Sequence, residues 1–218
     1  MSNWQYANVT PIRQYRGANT LPREFKLFTG KDGQVYMSAN VVPEVAALRR
    51  NYKRLPDLLV ANERDAKNVS TSKENAFEVE MDVTLNKAMK AGMVLYNDKG
   101  EKVDIYFDIK AGRLVMDRTE SGKVKFGEKS EPHKIETDYD DRQEQKASGP
   151  LRKLNSINYQ NDFALGTWAP LSLCDSDTYH LDLFVDKCSI ELFVNGGRIA
   201  MTNLVFPTAP YTSIKFYS

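Results

Sequence analysis

Two cysteines and two histidines are all that this chain of 218 residues offers to thiol and imidazole chemistry. Two cysteines cannot build a disulfide framework. Cys174 and Cys188 flank a segment that reads as a strand, and seven extended residues span roughly 23 Å. A bond between them is therefore not expected, and both are read as free thiols. No Cys-x-x-Cys pair, metalloprotease helix signature or phosphate-cradling glycine loop occurs. A charge excess is also missing. Lys+Arg 30 against Asp+Glu 29 leaves a formal net charge of +1, which excludes an electrostatic case for nucleic acid or for an acidic solvating tail. No run of eighteen apolar residues is present, so a membrane-spanning helix is not expected. Met1–Thr20 is polar and aromatic and does not read as a signal peptide.

What the chain does have is alternation. Phe77, Val79, Met81, Val83 and Leu85 fall on one side of a period of two, with Glu78, Glu80, Asp82 and Thr84 on the other. The pattern returns in Val103, Ile105, Phe107 and Ile109, in Leu181, Leu183 and Val185, and in Ile190, Leu192 and Val194. Period two with one polar side predicts half-buried antiparallel strands. Asn97-Asp98-Lys99-Gly100, Lys110-Ala111-Gly112 and Asn195-Gly196-Gly197 supply the positive φ that tight reversals need. The expectation is an all-β protein with an antiparallel β-sandwich over 73–218. Composition allows it: 41% of residues are hydrophobic.

The first 72 residues read differently. Phe25 to Phe28 and Val35 to Met37 are short apolar runs around Lys31-Asp32-Gly33, a hairpin turn. Such a hairpin is marginal alone, so residues 1–42 should need a partner surface. That partner is either further sequence or the rest of this chain. Pro43, Glu44 and the spacing Val45, Leu48, Tyr52 predict a short helix in a linker, 43–72, ended by Pro56. Glu128 to Gln160 is polar and charge-dense, a surface excursion of about 128–160 inside the sandwich. Loops of that length are usually functional or disordered.

Single residues say little about chemistry. His133 and His180 have no catalytic companions in sequence, and Ser189 has no triad partners. Asp182 and Glu191 are read as solvated acids on the outer side of their strands, not as a glycosidase pair. Arg49, Arg50, Lys53 and Arg54 around Tyr52 read as a solvated end of the predicted helix. Asn8-Val9-Thr10 and Asn68-Val69-Ser70 match the glycosylation pattern, which chance also produces. Trp168, Tyr159 and Tyr211 are the aromatics that a sugar-binding sandwich would use.

Three longer motifs carry a resemblance. Met1-Ser2-Asn3-Trp4-Gln5-Tyr6-Ala7, with Tyr15-Arg16-Gly17 and Leu21-Pro22-Arg23-Glu24-Phe25, resembles the end of the catalytic propeller in glycoside hydrolase family 32, the invertases, levanases and inulinases. Tyr15 stands where tryptophan is usual, and Phe25 where leucine is. Asp117-Arg118-Thr119-Glu120-Ser121-Gly122 resembles a second family step. Phe184-Val185-Asp186-Lys187-Cys188-Ser189-Ile190-Glu191-Leu192-Phe193 resembles the family's closing signature, with Cys188 where serine is common.

The resemblance implies an architecture and a limit. A remnant of the last propeller blade (1–42) and a linker would precede a jelly-roll or lectin-like sandwich. The family's aspartate nucleophile, its Arg-Asp-Pro motif and its acid/base glutamate before cysteine have no counterpart here. Arg64-Asp65 is followed by Ala66, and no glutamate precedes Cys174 or Cys188. Retaining hydrolysis needs two carboxyl groups about 5–5.5 Å apart, so the chain alone should be inactive, with no catalytic residue, metal or cofactor expected. By the same resemblance, Trp4 would help line a fructose pocket. Fructan or sucrose would be met through a propeller outside this sequence, in a periplasmic or secreted setting. The excursion at 128–160 is a candidate surface for self-association, and a carbohydrate-binding module acting alone is the alternative function.

Overall fold

The computed structural model describes residues 10–12, 18–61, 67–71, 76–126, 163–174 and 176–218. Among the described residues, twelve strands form three antiparallel sheets. β1 (Arg23–Thr29) and β2 (Val35–Val41) make a two-stranded hairpin. β4 (Phe77–Thr84), β9 (Thr178–Asp186), β10 (Ser189–Val194) and β11 (Ile199–Leu204) make a four-stranded sheet ordered β11-β10-β9-β4. The third sheet has six strands: β3 (Lys67–Ser70), β12 (Ser213–Tyr217), β5 (Lys90–Tyr96), β6 (Lys102–Asp108), β7 (Arg113–Asp117) and β8 (Gly166–Pro170), in that order across the sheet. β3 lies within the stretch read as linker and pairs with β12, Val69 opposite Ile214.

Alternation decides which side of each strand is wet. Leu181, Leu183 and Val185 of β9 and Val103, Ile105 and Phe107 of β6 are buried. They meet in one core between the two larger sheets, where Phe107 and Tyr179 have ring centroids 4.7 Å apart. Each such side chain contributes about 1.5–3 kcal/mol by leaving water. β10 departs from the pattern, since all six of its residues are buried. Its outer side is covered by the hairpin. The turns sit where glycine and asparagine placed them: Gly100, Gly112, Asn195 and Gly196 all have positive φ.

The helix expected from Pro43 is a 3-10 stretch, Pro43–Leu48, with no buried residue. It stops short of Tyr52, which is 83% exposed, as Leu48 is at 72%. Helical spacing without a surface to pack on leaves a short helix unsupported. The five residues before Pro56 carry no helix, with a bend at Asn51, whose φ is 56.

A smaller cluster closes one end of the sandwich. Phe126, Phe163, Leu204 and Phe206 pack with Val124 and Cys188. The step Asp117–Gly122 runs beside it. Arg118 is buried, its Nε donates to the Phe163 carbonyl at 2.8 Å and its Nη1 to that of Leu204 at 3.1 Å. Asp117 Oδ1 accepts from the Thr119 N–H, and the Ser121 carbonyl accepts from the Tyr211 hydroxyl. This motif holds three chain segments together. No helix among the described residues is long and apolar enough to cross a membrane.

Candidate functional site

The outer side of the four-stranded sheet carries two neighbouring features, a seat for the hairpin and a charged patch. The seat is built from β10, β11 and their turn. Glu191 on β10 accepts from the Leu21 N–H at 2.9 Å and from Arg23 Nη2 at 2.6 Å. The two side chains are 16% and 6% exposed. Arg23 also donates to Thr202 Oγ1 on β11, and its guanidinium lies 5.0 Å from the centre of the Phe193 ring. At the far end the Ala39 N–H donates to the Gly197 carbonyl at 2.9 Å. Gly197 has φ +75, and a Cβ there would stand 2.4 Å from the Ala39 carbonyl carbon. Only glycine permits that approach. Arg198 adds a cation over the Phe28 ring at 4.7 Å.

The hairpin is therefore fastened at its Arg23 end, at the Ala39 amide and through Phe28, while one side of it is bare further along. Leu27 opposes Met37, Phe25 opposes Ala39, and Val35 opposes Thr29, so Phe25, Leu27, Val35 and Met37 share a side. They are 59–76% exposed. A contiguous apolar side of this kind marks a surface that meets another body.

The charged patch lies on β4 and β9. Glu80 directly opposes Asp182, and Asp82 opposes His180. Like charges face to face are unfavourable, and Arg49, together with His180 when it is protonated, offsets them. Arg49 Nε lies 2.8 Å from Glu78 Oε2, and Arg49 Nη2 lies 3.5 Å from Glu80. His180 Nδ1 lies 2.9 Å from Asp82 Oδ1, with Nε2 4.0 Å from Glu80. The Asp82 hydrogen bond, outweighing desolvation, raises the His180 pKa. Burial, then the Glu80 charge, raises that of Asp182. Glu80, His180 and Asp182 bring three donor atoms within 4.8 Å of one another. These are the side chains that could meet a metal ion.

Both raised pKa values give the same sign. Stability from His180 is fully present below its unfolded pKa of about 6.5 and is lost as pH rises through the higher folded value. Asp182 likewise favours the folded state at lower pH. The side chains are partly exposed, so the effect is about 0.5–1 kcal/mol. We expect His180→Gln to destabilise the protein more at pH 6 than at pH 8.5 in urea unfolding. An equal loss at both values would contradict this account.

Comparison with known proteins places this geometry. The family described as Glycosyl hydrolases family 32 C terminal matches residues 44–218. The chain belongs to glycoside hydrolase family 32. It is 25% identical over 221 residues to a levanase of Bacillus subtilis, covering 100% of this chain and 27% of that protein. It is 27% identical to an extracellular exo-inulinase of Meyerozyma guilliermondii, covering 94% of this chain and 35% of the relative. The crystal structure of exo-inulinase from Aspergillus awamori matches its fold with a TM-score of 0.72 at 21% identity, over 100% of this chain and 36% of that one. The chain thus spans about a third or less of these relatives. The family 32 match agrees with the resemblance drawn from the motifs, and with an all-β sandwich.

Within this family 32 domain the predicted residues fall unevenly. Trp4, His133, Tyr159 and the excursion at 128–160 lie outside the described residues. Tyr211 is fully buried, with its hydroxyl bonded to the Ser121 carbonyl at 2.6 Å, so it cannot face a sugar. Trp168 is 53% exposed. Glu191 corrects its reading as a solvated acid: it is buried because the hairpin covers β10. Cys174 and Cys188 are free thiols. Burial pushes the Cys174 thiol up to about 11, which leaves it unreactive. Arg49 is exposed like its basic neighbours, 42% by its side chain, and pairs with Glu78 at the surface. The Arg23–Glu191 anchor escaped sequence reading, because its members lie 168 positions apart. Arg23 and Glu191 each fall inside a family motif, and that was the available signal.

Proposed function

We propose that this chain is the C-terminal, non-catalytic portion of a fructan β-fructosidase, and that its sandwich seats and supports the last hairpin of a catalytic propeller. One observation carries the reading: a hairpin fastened to the sandwich at its Arg23 end by a buried ion pair and bare along the side that carries four apolar side chains. The fastening explains what the sandwich does for the hairpin. The bare side, Phe25, Leu27, Val35 and Met37, needs a cover of similar apolar character, and neighbouring propeller strands would supply it. The full enzyme would hydrolyse fructosyl linkages in levan, inulin or sucrose with retention. Its carboxylates would come from the propeller. Trp4 is the residue of this chain that we assign to a fructosyl ring, on its motif. Self-association through 128–160 rests on charge density in the sequence.

Two measurements test this. The purified chain should release no fructose from levan, inulin or sucrose above a buffer control. An immunoblot of the source cells against the sandwich should show a band more than twice 24.8 kDa. Fructose release that scales with the chain, or a native band at 24.8 kDa, would overturn the reading.

A further inference from the structure

The six-stranded sheet has an outer side that the hairpin does not touch. Its inner side is made by Met93, Ile105, Leu114 and Met116. Alternation then puts the intervening residues outside. Tyr217 opposes Gly92, Gly92 opposes Tyr106, Tyr106 opposes Val115, and Val115 opposes Trp168. These pairings draw one straight row across five strands. Three of its five members are aromatic, each two strand steps from the next, roughly 9.6 Å.

The row has a level floor. A Cβ on Gly92 would stand 2.4 Å from the Ile105 carbonyl and 2.7 Å from Tyr106 Cβ, so no side chain of β5 itself rises in the row between the two tyrosines. The Tyr217 hydroxyl donates to Asp104 on β6 at 2.8 Å, which draws its ring across β5. Trp168 is 53% exposed, while Tyr106 and Tyr217 are half-buried. Cationic side chains lie over the rings. Lys90 Nζ lies 3.9 Å from the Tyr106 ring centre, 5.5 Å from that of Tyr217 and 3.9 Å from Asp104. Arg113 lies 4.0 Å from the Trp168 ring centre.

We propose that this row is a binding site for a neutral oligosaccharide, laid across the strands over Tyr217, Tyr106 and Trp168. Once Lys90 and Arg113 swing off them, the aromatic faces accept the C–H side of a sugar ring. The three aromatics follow one another along the row, so a chain of linked sugar rings laid on it meets more than one of them. Asp104, Lys90 and Arg113 supply acceptors and donors for the hydroxyls. A border this charged suits a hydroxyl-rich ligand better than the core of a protein interface, which is depleted in charge. The site itself stands on the row alone, and the choice of fructan as first probe rests on the proposed function. The site would hold substrate polymer on the side of the sandwich away from the hairpin.

Affinity electrophoresis of the full chain tests this, in gels containing levan, inulin or a soluble β-glucan. Retardation by at least one polymer is expected, and Trp168→Ala should weaken it about tenfold. Trp168 is exposed enough that the variant should melt with the parent protein. Tyr106→Ala should weaken binding too, and Tyr106→Phe should restore it. Retardation by levan or inulin supports a fructan ligand. Retardation by the glucan alone supports the site and removes its link to fructan, leaving the immunoblot result untouched. Mobility unaffected by every polymer, or retardation that Trp168→Ala leaves intact, would overturn the proposal. So would a dimer by sedimentation that Trp168→Ala dissociates, since the row would then be an interface between copies.

Discussion

Replacing Glu191 with alanine should cost about 3–5 kcal/mol of folding stability, the usual loss when one member of a buried ion pair is removed. The carboxylate is 6% exposed and holds both the Leu21 N–H and the Arg23 guanidinium. Its loss strands a cation that is 16% exposed and pressed towards Phe193. The chain has one way to limit the cost, which is to release the hairpin so that Arg23 regains water. Urea unfolding should therefore show a lower midpoint, and hydrogen exchange should show early loss of protection at Ala39, whose amide bonds to Gly197. The double variant Arg23→Met with Glu191→Leu should recover much of the loss, because an apolar pair of similar volume pays no desolvation. A Glu191→Ala protein within 1 kcal/mol of the parent, with Ala39 still protected, would mean that the pair is not the anchor.

Arg118→Ala should be comparably damaging, by about 3–5 kcal/mol. Two hydrogen bonds from a charged donor disappear, each worth about 1.5–3 kcal/mol. The carbonyls of Phe163 and Leu204 lose that donor in a buried setting, and the cation over the Phe163 ring at 4.1 Å goes as well. Lysine should restore only part of the loss, since one ammonium on a flexible stem cannot reproduce the planar fork that reaches both carbonyls. Equilibrium unfolding of the alanine and lysine variants checks this order. Equal stability of lysine and arginine at 118 would show that charge alone matters there.

Arg118 also shows how motifs and structure inform each other. Asp117-Arg118-Thr119-Glu120-Ser121-Gly122 is conspicuous in sequence, and its chemistry could be guessed as functional. The structure makes it a fastener between β7, the segment before β8 and the end of β11. Gly122 has φ +123, with a Cβ position 2.4 Å from the Phe206 carbonyl, so its glycine serves close packing.

Some elements were legible and others were not, for reasons of pattern length. β4, β6, β9 and β10 alternate long enough to show their period. β5 reads Lys90-Ala91-Gly92-Met93-Val94-Leu95-Tyr96, where a glycine and adjacent apolar residues blur it. β12 is five residues long, too short for a period to stand out. At Pro43 a helical spacing existed, yet Leu48 found nothing to bury against, and only a 3-10 stretch formed.

By itself the sequence determined the strands with clear alternation, the turns that glycine and asparagine require, and membership of family 32 through its motifs. Those are local properties, set by the steric and solvation preferences of neighbouring residues. The tertiary structure alone decided what covers each sheet. It turned Glu191 from a surface acid into an anchor, because a hairpin 168 positions away lies on it. It put Tyr211 in the core and left Trp168 outside. It lined up Tyr217, Tyr106 and Trp168, which belong to three separate strands. Strand pairing is a long-range choice, made by burial summed over whole sheets, and no short stretch of chain records it.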